Sequence, residues 1–176
     1  MQRYFLDSDA PAFLSPPSGL IPNIVKLIDT FRQKSRPIIF TRHAHTKEED
    51  TGQMSRWWKN ELPLIDDSFS EIIPNLKPEK SDLVITKSRY SAFENTNLDS
   101  YLKSQKIQNV VICGVMTNLC VETTARHAFM KDFQPIIVED ACATKNIEFH
   151  KASLLNLGYG FAHIIKTNDV IHGTIK

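Results

Sequence analysis

Cysteine is scarce in this chain. Its 176 residues hold three, Cys113, Cys120 and Cys142, and no two form a C-x-x-C pair. An odd, sparse set of this kind excludes a disulfide framework and a zinc ribbon, and it fits a reducing, cytoplasmic location. An excess of charge is also missing: 21 Lys and Arg face 20 Asp and Glu, for a net charge of +1. With no basic stripe and no acidic tail, nucleic acid is not an expected partner. No apolar run approaches the length of a membrane span, and the opening residues, Met1-Gln2-Arg3-Tyr4-Phe5-Leu6-Asp7, lack the apolar core of a secretory leader. No membrane partner is expected either. Internal repeats, low-complexity runs and linkers are absent, and the length suits one domain, residues 1–176.

What is present is a series of short apolar runs separated by helical periodicity. Pro11, Pro16 and Pro17 keep residues 1–18 irregular. Ile21, Ile24, Val25, Leu27, Ile28 and Phe31 mark one face of a helix over 20–33. Residues 37–41, 82–86, 109–114, 134–138 and 161–165 read as strands buried on both faces. Helices are predicted over 97–106, 118–131 and 148–157, the last stopped by Gly158-Tyr159-Gly160, and 139–144 reads as a loop. The connection from 42 to 81 is long enough to be functional. It holds His43, His45, the acidic cluster Glu48, Glu49 and Asp50, and the pair Trp57-Trp58. Alternating strands and helices imply right-handed crossovers: an α/β, three-layer α-β-α fold with a mostly parallel, Rossmann-like sheet. In such sheets the ligand crevice lies beyond the carboxyl ends of the strands.

Two residues fall at that end. Lys87 follows one strand, and Cys120 lies in the first turn of the helix after the next. A thiol at a helix start faces unpaired N–H groups and the positive end of the dipole, which favour the nucleophilic thiolate. A nearby ammonium adds to this and can hold developing negative charge. From position alone the alternatives stay open: a cysteine at a strand–helix turn is often a small buried hydrophobe, and a lysine at a strand end is often solvated. Cys113 reads as core and Cys142 as packing. His43 and His45 could ligate a metal, yet no third ligand stands at suitable spacing, so no metal and no cofactor are assigned. His127, His150, His163 and His172 read as surface or cap residues.

The stretch Gly114-Val115-Met116-Thr117-Asn118-Leu119-Cys120-Val121-Glu122-Thr123-Thr124-Ala125-Arg126 resembles the signature of the isochorismatase-like cysteine hydrolases, which include nicotinamidases, N-carbamoylsarcosine amidohydrolase and ureido-hydrolases. Lys87-Ser88-Arg89-Tyr90-Ser91-Ala92-Phe93 resembles the family's second motif, and the likeness runs along essentially the whole chain. The resemblance implies hydrolysis of an amide-type C–N bond of a small molecule through a cysteine acyl-enzyme. Cys120 would be the nucleophile and Lys87 its charge-stabilising partner. A cis peptide would join Val115 to Met116, and the N–H groups of Met116 and Cys120 would form the oxyanion hole. Phe5, Trp57, Tyr90 and Phe93 are candidate pocket walls. Homo-oligomers, dimer or tetramer, are common in the family.

The family's triad also has an aspartate, at the end of a first central strand and just before a Met-Gln pair. Met1-Gln2 matches that pair, so the chain starts one residue after the expected aspartate. The expectation is therefore an N-terminal truncation, with the first central strand absent and a groove in the core where it would lie. Hydrolysis by the chain as it stands is expected to be weak or absent, with Cys120 still open to alkylation. The family's metal-binding nicotinamidases carry Asp-x-His where this chain reads His43-x-His45, which argues against nicotinamide. Two alternatives stand beside the amidase: an isochorismate-type vinyl-ether hydrolase, and an inactive binding or scaffold member lacking the aspartate.

Overall fold

The computed structural model describes residues 1–48, 51–59 and 61–173; Glu49 and Asp50 of the acidic cluster lie outside the described residues. Five strands run β1 (Ile39–His43), β2 (Leu83–Lys87), β3 (Asn109–Val115), β4 (Gln134–Ala143) and β5 (His163–Ile165). The helices are α1 (Arg3–Leu6), α2 (Leu20–Gln33), α3 (Gln53–Trp57), α4 (Leu98–Ser104), α5 (Glu122–Met130), α6 (Ile147–Gly160) and α7 (Thr167–His172). Among the described residues, every pairing between these strands is parallel. β1 pairs with β2 from Ile39 opposite Leu83 to His43 opposite Lys87, while β3, β4 and β5 form a second sheet in that order.

Alternation along the strands builds the layers. Phe40, Val111 and Val138 turn to one face and pack with Leu20, Ile24 and Leu27 of α2 and Val170 of α7. Ile112 and Ile137 turn to the other, against Val121, Ala125 of α5 and Leu157 of α6. Ile85 shares that side's neighbouring cluster with Leu98 and Leu102 of α4 and Ala128 of α5. The result is the expected three-layer α-β-α arrangement.

Between β1 and β3 the described chain has no strand. A groove of about 160 Å³ lies there, lined by Ile39, Thr41, Val111, Cys113 and Gly114 and by Leu27 and Ile28 of α2. Gln2 caps one end of the open edge of β1. Its Nε2 donates to His43 O at 2.8 Å and its Oε1 accepts from His43 N–H at 2.6 Å, as the peptide group of a neighbouring strand would. Gln2 also donates to Ser70 O at 3.0 Å and is fully enclosed.

Four local features differ from the sequence reading. Residues 1–18 are not wholly irregular, since α1 fits between Gln2 and Asp7. β4 does not end at Val138: it continues to Ala143, with Gly114 opposite Cys142 and Val115 opposite Ala143, so Cys142 is a buried strand residue rather than one beneath a loop. The pairing tolerates Asp140 because its carboxylate accepts from both Thr167 N–H and Thr167 Oγ1 at 2.8 Å. α6 continues past Gly158 and ends at Gly160 rather than at Leu157, and a Cβ on Gly158 would stand 3.2 Å from Ile164. Glycine here allows close packing of helix on strand. Finally, the helix after β3 opens with a π turn, Thr117–Val121, before α5 begins.

Candidate active site

The candidate nucleophile sits on a bent strand–turn–helix. A bulge between Ile112 and Gly114 shifts the β3–β4 register, and Gly114 has φ +119, which only glycine adopts readily. The peptide between Val115 and Met116 is cis. Met116 O then accepts from both Leu119 N–H, at 3.1 Å, and Val121 N–H, at 3.2 Å. The second bond spans five residues and makes the π turn that carries Cys120. Turns of this kind recur at functional sites, where they reposition one side chain without breaking the helix. Thr144 and Asn118 bond side chain to side chain at 2.6 Å, and Thr117 Oγ1 meets His150 Nδ1 at 2.9 Å, so the turn is tied to β4's end and to α6.

Lys87 comes from the other sheet. β2 and β3 are not neighbours, yet the lysine head group reaches Cys120 in the turn beyond β3. Its Nζ donates to Arg89 O at 2.8 Å, to Tyr90 O at 3.0 Å and to Cys120 Sγ at 3.4 Å. An ammonium has three protons, and these three acceptors use them all. The group is 5% exposed, so its charge acts on the sulfur with little screening. Among the described residues, no Asp or Glu forms an ion pair with it.

The other two cysteines are set apart chemically. Burial pushes the Cys113 thiol up to about 11 and raises that of Cys142 well above the ordinary thiol range. A neutral thiol is a poor nucleophile.

His43 and His45 are 5% and 1% exposed, with their Nε2 atoms 3.0 Å apart in a shared hydrogen bond. Burial, then the Lys87 charge, then His45, lower the His43 pKa to about 3, so the ring is neutral at pH 7. Among the described residues, no third His, Cys, Asp or Glu joins this pair in a group that could hold a metal ion.

The four candidate pocket residues are placed differently. Tyr90 is half-buried beside Lys87, and its hydroxyl accepts from Trp58 Nε1 at 2.7 Å. Trp57 is 77% exposed. Phe5 is buried in the core against Tyr4, and Phe93 is buried on Phe133, so neither side chain is an open pocket wall. His127 and His150, expected at the surface or at caps, each make a side-chain hydrogen bond that ties one element to another. His127 Nδ1 meets Ser91 Oγ at 2.9 Å, inside the loop that holds Lys87. Nothing in their spacing marked either one, because their partners lie 36 and 33 residues away.

Comparisons with known proteins bear on the fold and the family. A nicotinamidase of Arabidopsis thaliana is 39% identical over 155 residues, 87% of this chain and 78% of its own length. The crystal structure of a cysteine hydrolase from Pseudomonas syringae superposes with a TM-score of 0.93 at 25% identity, covering 98% of this chain and 87% of that one. A nicotinamidase/pyrazinamidase from Bacillus subtilis gives 0.83 at 25% identity, with 94% of each chain covered. The family model described as the isochorismatase domain matches residues 1–169. The chain belongs to the isochorismatase family of hydrolases.

Proposed function

We propose that the chain cleaves the C–N bond of a small-molecule amide through an acyl-enzyme on Cys120. The observation that carries this reading is the Lys87 ammonium, held 3.4 Å from Cys120 Sγ with its other two protons fixed by backbone carbonyls. A sulfur anion at that distance from a little-screened cation is stabilised by Coulomb attraction. The thiolate adds to the carbonyl carbon, and the carbonyl electron pair moves to oxygen, beside the N–H groups of Met116 and Cys120. Collapse expels the nitrogen, which takes a proton, and leaves a thioester. Water adds to the thioester and releases the acid and the thiol. The sum is amide plus water to acid plus amine, and it balances without a cofactor.

With its three protons committed, Lys87 holds charge rather than relaying protons. In the 176-residue chain no carboxylate pairs with it among the described residues, so deacylation, which must move a proton from water, is expected to be the slow step. Time courses with small primary amides and ureido compounds, followed by intact mass, test the proposal. The expected result is a Cys120 adduct that forms faster than product turns over, and that vanishes in Cys120→Ala. Amide product release undiminished in Cys120→Ala would contradict it, and hydrolysis of an isochorismate-type vinyl ether that persists in Cys120→Ala would support the ether-hydrolase alternative.

The same reading extends to assembly and location. On α6, Ile147, Leu155 and Tyr159 are exposed by 60%, 76% and 95%, at spacings of eight and four residues on one face. Their partner is proposed to be a second copy of the chain, which sedimentation velocity of the wild type and Leu155→Glu would test. Three free cysteines support a reducing compartment. No helix of the described residues is long and apolar enough to cross a membrane.

A further inference from the structure

The pairing of Cys120 and Lys87 depends on a loop that neither belongs to. Residues 88–93 follow β2 outside any ladder, and they supply the Arg89 and Tyr90 carbonyls that hold the ammonium. Something must hold those carbonyls in turn. Thr124, on α5 just beyond the π turn, does so from the nucleophile's own helix. Its Oγ1 accepts from Ala92 N–H at 3.1 Å and donates toward Tyr90 O at 3.5 Å. Tyr90 O is therefore shared between Lys87 Nζ and Thr124 Oγ1. A second tether lies one turn further on. His127 Nδ1 meets Ser91 Oγ at 2.9 Å, and the same Oγ accepts from Phe93 N–H at 3.1 Å. Thr124 and His127 are three apart, so they occupy one face of α5.

We infer that Thr124 is a positioning residue for the reaction: it fixes the Tyr90 carbonyl, and through it the direction in which Lys87 points its ammonium at Cys120. A lysine head is a compact charge on a flexible stem, and its aim is set by its acceptors. Loosening one acceptor lets the head swing from the sulfur. The Ser91–His127 contact serves the same end from the other side of Ala92. The inference rests on the reading of Cys120 and Lys87 as the reacting pair, and the experiment separates the two.

The readout is the second-order rate of Cys120 alkylation by iodoacetamide at pH 7, which needs no substrate. Wild type is compared with Lys87→Met, Thr124→Val, Thr124→Ser and Ser91→Ala, and with Leu157→Ala as a variant destabilised away from the loop. Thr124→Val keeps the shape and removes both bonds, so alkylation should slow by about tenfold, as expected for small misplacements of a reacting group. Thr124→Ser keeps both bonds and should stay within about twofold of wild type, as should Leu157→Ala while it remains folded. Thr124→Val reacting at the wild-type rate, or Thr124→Ser as slow as Thr124→Val, would overturn the inference. If Thr124→Val does not fold, Ser91→Ala carries the test, and a wild-type rate there overturns it equally. A wild-type rate in Lys87→Met would instead remove the reading of the pair itself.

Discussion

The buried histidine beside the candidate site should make the protein lose stability in mild acid, by an amount that can be worked out. His43 is 5% exposed, and burial is the main reason its pKa falls from 6.5 to about 3. The sign follows from proton counts. Below pH 6.5 the unfolded chain takes up a proton that the folded chain refuses until about pH 3, so this contribution is complete above 6.5 and drains as pH falls. Between pH 7 and pH 5 the loss comes to about 2 kcal/mol. His43→Gln removes the titration. Its side chain can still bond His45, and the backbone of residue 43 remains clamped by Gln2. Urea unfolding of both proteins at pH 7 and pH 5 gives the double difference directly. Wild type should lose about 2 kcal/mol more than the variant over that interval. Equal losses would show that the His43 ring is not held neutral by its surroundings.

Two further outcomes follow from packing. Leu157 of α6 is fully buried against β4 and α5, so Leu157→Ala should cost about 2–5 kcal/mol in equilibrium unfolding. Asp140→Ala removes the one oxygen that accepts both Thr167 bonds and should cost about 1–2 kcal/mol, with faster hydrogen exchange confined first to α7.

Much of this was legible in the residues. The apolar runs at Ile39, Ile85, Val111 and Ile137 have the length and continuity of strands covered on both faces, and all four are strand residues in the layers. Cys120 and Lys87 could be placed at strand ends by counting, and the structure brings them together even though their strands are not neighbours. A groove lies between β1 and β3, where the family resemblance implies a further strand. What counting could not reach depends on distant partners. Asp140 looks like a break in a strand until Thr167, 27 residues on, satisfies it. Gly158 looks like a helix stop until Ile164 is seen packed against it. The π turn at Cys120 has no periodic signature of its own, and Phe5 and Phe93 look like pocket walls because aromatic residues suit pockets and cores alike.

Cys120, and not another thiol, is proposed as the nucleophile prepared by Lys87. Peptide mapping after brief iodoacetamide treatment of the folded wild type at pH 7 tests it most directly. Label is expected to accumulate on Cys120 while Cys113 and Cys142, their thiols raised by burial, stay unmodified. Lys87→Met should slow the Cys120 label. Labelling of Cys113 or Cys142 at a rate matching Cys120, or a Cys120 rate indifferent to Lys87, would contradict the proposal.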